Sequence, residues 1–283
     1  MYTKERYKQI AKLLKEIASE LKTNTESEID VESVIDYVLN RERKILGINS
    51  NVSFTFPDKE KLIMAATFQP VTENKTFQSF LNSIDSQFYD VWDSNVRTGY
   101  LTGMTSQQIV RNVLGTQAKN AKVAEEGAIH ALRNSLIANT RTALQSFANA
   151  TRNEIYEKNA DLFSDYKWLA TLDRRTCTVC GSLDGKTFKN INDAPTAPIH
   201  LNCRCLLIAN VKGIDFSDER ASENGYVDSK TTYSEWLKEQ PDKVQREVLG
   251  SARYKMYKNG TSFDTFVNNK NQKLTLKELE DMV

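Results

Sequence analysis

All four cysteines of this chain lie within 29 residues, from Cys177 to Cys205, beside His200, one of only two histidines in 283 residues. The segment reads Cys177-Thr-Val-Cys180, then nineteen residues, then His200-Leu-Asn-Cys203-Arg-Cys205. Cysteines serving as small core residues would be scattered, so this clustering constrains what the region can fold into. Two disulfides would account for four cysteines. The chain opens Met1-Tyr-Thr-Lys-Glu-Arg, however, charged from the start and with no apolar run of signal-peptide or membrane-span length. In a reducing compartment, CxxC followed by HxxCxC reads as a metal site before it reads as a disulfide scaffold.

Zinc takes thiolate and imidazole ligands in a tetrahedron. The CxxC supplies two sulfurs, and His200, Cys203 and Cys205 compete for the remaining places, which makes five candidates for four positions. Alternation along an extended chain puts Cys203 and Cys205 on one side and Arg204 on the other. A catalytic zinc keeps an open position and a nearby base, whereas a surplus of sulfur ligands points to a closed, structural ion. Disulfides, a metal-free thiol cluster and a catalytic metal remain the alternatives. A unit this short buries too little apolar surface to hold itself together without a cross-link. The flanks predict a small β-rich knuckle. Lys167 to Leu172 reads as an entering strand, Asp184-Gly185 as a tight hairpin turn with Phe188 on the return, and Leu206 to Ala209 as a departing strand. Pro195 and Pro198 stiffen the loop that carries His200.

The first 165 residues read as mostly helical. Ile10, Leu13, Leu14, Ile17 and Leu21 follow helical spacing, as do Val31, Val34, Ile35, Val38 and Leu39 before Gly47. Asn49 to Phe56 is a loop or short strand. Phe77 to Trp92 is an apolar, core-facing helix, and Thr105-Ser-Gln-Gln108 has the capping-box pattern. Residues 118–159 form an Ala- and Leu-rich helix on which His130 has no second ligand in view. Arg141 and Arg152 lie eleven residues apart there, about three turns and nearly one face, which reads as a solvated face or as a contact for phosphate or a partner's carboxylates. Residues 215–230 read as a linker or surface loop. The tail is helical again, with Thr232-Tyr-Ser-Glu235 and Thr275-Leu-Lys-Glu278 as caps, Pro241 opening a helix, Gly250 and Gly260 as breaks, and Trp236 as a packing anchor. The expected fold is mainly α with one small β-rich zinc knuckle, α+β overall. It divides into an N-terminal region 1–75, a helical core 76–165, the Cys/His module 166–213 and a helical extension 214–283. A net charge of +1, with 40% apolar and 27% charged residues, describes a folding chain without a global attraction to nucleic acid.

Asp173-Arg-Arg-Thr-Cys177-x-x-Cys180-x-x-Leu183-Asp-Gly185, followed by Pro198-x-His200-x-x-Cys203-Arg-Cys205, resembles the signature of the Mu-F-like minor head proteins of tailed bacteriophages, the phage head morphogenesis family. The preceding Gly103-Met-Thr-Ser-Gln-Gln-Ile109 and Asn139-Thr-Arg141-Thr are similar to the helical part of that domain. Tyr233-x-x-Trp236-Leu-Lys-x-Gln240-Pro241 through Leu249-Gly250 and Leu274-Thr-Leu276 resembles an extension found in some members. The resemblance spans roughly residues 80–283. It implies a virion component at or near the portal vertex inside the head. The implied partners are the portal and capsid proteins and, in some members, the packaged double-stranded DNA with which the protein is delivered.

Two other functions compete. A metal-dependent nuclease would use His200 beside Arg204, with Asp173 and Asp184 as acid or base groups, although the oxygen-rich ligation such enzymes favour is not evident. No catalytic set is assigned. A nucleic-acid-binding module would place Arg141, Arg152, Arg174, Arg175 and Arg204 on phosphates, with affinity falling steeply in salt.

Overall fold

A computed structural model describes residues 30–47, 52–68, 128–214 and 219–282 continuously, together with Ser19 and scattered positions between 70 and 113. In chain order its elements are helices α1 (Val31–Gly47) and α2 (Lys59–Phe68), strands β1 (Pro70–Thr72) and β2 (Lys75–Thr76), and helix α3 (Ala128–Lys158). Then come β3 (Phe163–Leu169), α4 (Thr178–Leu183), β4 (Thr187–Phe188), β5 (Leu206–Val211), β6 (Glu219–Ser222) and β7 (Gly225–Asp228). The tail holds α5 (Tyr233–Lys238), α6 (Asp242–Leu249), α7 (Ser251–Lys258) and α8 (Leu276–Glu280). The mainly helical α+β expectation holds. The chain divides into two compact units, Met1–Asp36 with Ile63–Ala148, and Tyr37–Leu62 with Asn149–Val283. The first predicted helix, the apolar residues of Phe77 to Trp92, residues 118–127 and the side chain of His130 lie outside the described residues.

In the first unit, Asp30 caps α1 by accepting from the Ser33 amide at 3.0 Å, which satisfies one of the free N–H groups of a helix start. Every described residue from 79 to 95 is helical. The predicted capping box forms: Gln108 N donates to Thr105 Oγ1 at 3.3 Å and Thr105 N to Gln108 Oε1 at 2.8 Å.

The second unit carries the Cys/His segment. Its α1 residues Val38, Leu39 and Leu46 are buried, as the 3.6-residue period requires, and Glu42 is buried on the same stripe. Within α3, Ala150, Ile155 and Tyr156 are buried, and so are the polar Asn149, Thr151 and Arg152. Segment 52–58 has no regular structure and is held to the end of α3 by Asn159. That amide accepts from Thr55 N at 2.7 Å and donates to Thr55 O at 2.7 Å, a side-chain imitation of a strand pair. Phe54, Tyr156, Phe163 and Tyr166 pack as an aromatic cluster with centroids 5.5–6.2 Å apart.

β3 is the centre of a three-stranded antiparallel sheet ordered β4-β3-β5. Trp168 pairs with Leu207 and Tyr166 with Phe188, so Phe188 lies on the return as predicted. The entering strand runs 163–169, not 167–172, because Asp184 captures the Ala170 amide at 2.7 Å and ends the ladder there. Asp184-Gly185 is not a two-residue hairpin turn. Residues 178–183 are helical, and Gly185, at φ +83°, is the left-handed residue that ends that helix. Residues 215–230 are not simply a loop: 219–228 form the β6–β7 hairpin, with Glu223-Asn224 as its two-residue loop and Ser222 paired with Gly225.

The tail folds as its caps predict. Both boxes form, Thr232 with Glu235 and Thr275 with Glu278. Pro241 sits at the N-cap of α6, and Gly250 separates α6 from α7. Trp236 is buried beside Leu172, Tyr233, Leu237, Phe263 and Phe266. α4 leans on this core through Gly181, where a Cβ would lie 2.4 Å from Tyr233 Cδ1 and 2.9 Å from Phe263 Cζ. Two ring atoms of fully buried side chains cannot both retreat, so Gly181→Ala should cost about 1–3 kcal/mol by overpacking. A urea midpoint unchanged from wild type would show that the contact yields freely.

Candidate metal centre

α4 delivers the first two sulfurs. Cys177 is its N-cap, and the thiol accepts the Cys180 amide at 3.3 Å, so both cysteines share the first turn. That capping bond is the local reason for the CxxC spacing. His200 and Cys203 close a second turn, with Cys203 N donating to His200 O at 3.1 Å. Asn202 occupies the left-handed region there at φ +60°, a conformation asparagine tolerates. Beyond the turn, Cys203 and Cys205 are both 2% exposed while Arg204 points outward, as alternation predicted.

The five side chains converge as two overlapping triads, Cys177-Cys180-His200 and Cys180-Cys203-Cys205, with ligand atoms in each within 4.8 Å of one another. His200 Nε2 is 3.2 Å from Cys177 Sγ and 3.1 Å from Cys180 Sγ, and Cys180 Sγ is 3.8 Å from Cys203 Sγ. A tetrahedral zinc with ordinary Zn–S bonds needs sulfurs about 3.8 Å apart and sulfur–nitrogen pairs about 3.6 Å apart. The Cys180–Cys203 separation has that value already, and the two histidine separations fall a few tenths of an ångström short. Cys180 belongs to both triads and links them.

Electrostatics prepare the cluster for a cation. His200 Nδ1 donates to the Leu201 carbonyl at 2.8 Å, which leaves Nε2 for the thiols or a metal. The Cys180 thiol, and then His200, pull the Cys177 pKa down to about 4. Cys180 and Cys205 pull Cys203 well below the thiol range, while the hydrogen bond that Cys180 donates to the Cys177 thiolate pushes Cys180 up. The hydrogen bond with Cys177 raises His200 to about 9. Thiolates facing a protonated imidazole make a charge set that a divalent soft cation fits, since metal binding takes the place of those protons.

The acidic and basic neighbours are engaged elsewhere. The Asp173 carboxylate forms a two-pronged pair with Arg204, Nη1 to Oδ2 and Nη2 to Oδ1, the latter at 2.7 Å. Burial would raise Asp173, but the Arg204 guanidinium outweighs it and holds the carboxyl below its ordinary range. Asp184, fully buried, pairs with Arg220. Arg174 meets Glu223 at 2.6 Å and Glu247 at 3.6 Å. Arg152 is 7% exposed and bound to Glu42 at 3.0 Å, so it is not on a solvated face with Arg141, which is exposed. Arg175 is exposed. Sequence reasoning missed Glu42, Asn149 and Arg220. The available signal was a charged or amide residue on an apolar helix stripe, which must find a buried partner.

The family model described as phage Mu protein F like protein matches residues 94–208. Over these residues the chain is similar to the phage Mu protein F-like family. The Mu F-like segment takes in α3 and all five candidate ligands and ends inside β5, with the tail helices beyond it. The family is one of phage head proteins, and head morphogenesis with capsid-related partners is the role it carries. No curated protein and no solved structure matches the chain. Among the described residues no helix is long and apolar enough to cross a membrane.

Proposed function

We propose that this protein is a minor head protein of a tailed phage, acting at or near the portal vertex during head assembly, with a structural zinc in the Cys/His cluster. The observation that carries the reading is the Mu F-like match over residues 94–208, which ends on the five converging ligands. Cys177, Cys180, His200, Cys203 and Cys205 would supply the four zinc ligands, and the ion would lock α4 to the loop before β5. The engagement of Asp173 and Asp184 by arginines supports a structural role over nuclease chemistry, because neither carboxylate is left to move a proton. Contact with packaged DNA would fall to the exposed Arg141 and Arg175, since Arg152, Arg174 and Arg204 are paired with carboxylates.

Quantitative mass spectrometry of purified virions, combined with cross-linking, tests the assignment. The expected result is a few copies per particle, far below the major capsid protein, with cross-links to the portal. Absence of the chain from purified particles and from assembly intermediates would overturn the proposal.

A further inference from the structure

We infer that Asn149 is a positioning residue for the Cys/His site, holding the loop with His200, Cys203 and Cys205 in ligating register. The inference rests on the metal reading above. Asn149 is 4% exposed on α3, and its Nδ2 donates to two carbonyls far along the chain, Ala197 O at 3.2 Å and Cys205 O at 3.1 Å. One carbonyl lies three residues before His200, and the other belongs to a candidate ligand. Between Ala197 and Leu206 the backbone has no helix or strand of its own. One amide therefore ties together both ends of the ligand loop.

The orientation of that amide is itself imposed. Arg152 Nη1 donates to Asn149 Oδ1 at 3.1 Å, which turns both amide N–H groups toward the two carbonyls. Arg152 is held in turn by Glu42, Nε to Oε1 at 3.0 Å, and Tyr156 Oη donates to Glu42 Oε2 at 3.2 Å. Burial first, and then the Glu42 charge, keep the Tyr156 phenol protonated as that donor. Glu42, Asn149, Arg152 and Tyr156 are all buried, so water does not replace a lost partner, and a polar group orphaned there bears its full desolvation penalty. The relay runs from α1 through α3 to the ligand loop. None of its members supplies a ligand atom.

Asn149→Asp tests this, because it keeps the shape but sets an acceptor against two carbonyl oxygens. Zinc affinity of the full chain would be measured by competition with a chromophoric chelator. The expected result is about 10–100-fold weaker binding, the range seen when groups that orient metal ligands are removed. Far-UV circular dichroism and amide protection of α5 to α7 should stay as in wild type. If the variant fails to fold, Asn149→Ser retains one donor of two and should give an intermediate loss. Unchanged affinity in either folded variant would overturn the inference. If the wild-type chain binds no zinc, the metal reading falls, and alkylation by iodoacetamide decides the positioning role alone. Faster labelling of Cys205 relative to Cys177 in the variant supports it, and an unchanged ratio overturns it.

Discussion

Cys180→Ser should abolish stoichiometric zinc binding and open the loop between β4 and β5. Cys180 is the thiol common to both triads, so its loss leaves neither triad with three ligands. Residues 189–205 contain only one 3-10 turn, Ile191–Asp193. Their fixed positions come from the Asn149 bonds, the Arg204–Asp173 pair, the proposed ion and modest apolar burial. Structural zinc contributes about 10–16 kcal/mol of apparent binding energy in finger peptides, comparable with the whole stability of an ordinary domain, about 5–15 kcal/mol. The expected readouts are one zinc per chain in wild type and none in the variant. Amide protection should be lost across 189–205, while α5 to α7, whose core is built on Tyr233, Leu237 and Phe266, keeps its protection. Chelation of the wild type should reproduce the same pattern. Protection that survives both treatments would show that packing alone holds the loop.

The pH dependence of the metal's own contribution tests the ligand set. In metal-free protein His200 is raised from 6.5 to about 9 by its hydrogen bond with Cys177. That shift contributes stability fully present below pH 6.5 and lost as pH rises through about 9. Cys177, lowered from 9.0 to about 4, opposes it with stability present above pH 9 and lost as pH falls through about 4. Metal binding needs thiolates and a neutral imidazole, so it competes with the proton on His200. The gain in melting temperature on zinc loading should therefore shrink as pH falls from 9 to 6.5. A gain independent of pH would argue against a metal on His200.

Asp184→Ala should destabilise the second unit by about 3–5 kcal/mol, the range for breaking a buried ion pair. The carboxylate is fully buried and satisfies four donors: Ala170 N at 2.7 Å, Tyr233 N at 2.8 Å, Arg220 Nη1 at 2.9 Å and Arg220 Nη2 at 3.1 Å. One side chain thus joins the end of β3, the β6–β7 hairpin and the start of α5. Its removal leaves Arg220 charged in the interior with only the carbonyls of Ala170 and Thr231 for partners. Replacing both members, Asp184→Ala with Arg220→Leu, should cost less than the two single changes added together, because the second change removes the orphaned charge. Urea unfolding followed by near-UV circular dichroism measures all four corners of the cycle. Additive costs would show that the two residues act independently.

Much of this protein was legible as sequence because the relevant signals are local. The stripe of α1, the capping boxes at Thr105, Thr232 and Thr275, the strand from Leu206 and the placement of ligands within each Cys/His arm depend on spacing within a few residues, where backbone geometry alone sets which side chains meet. The misread pieces had the right local chemistry in another context. Asp184-Gly185 carries hairpin residues but ends a helix, and Arg152 has the period of a solvated face but lies beneath Glu42. Partners such as Asp184 with Arg220, Glu42 with Arg152, and Asn149 with Ala197 and Cys205 are 36 to 110 residues apart. A buried charge or amide announces that it needs a partner, but only the folded chain, by excluding water from both, decides which one it gets.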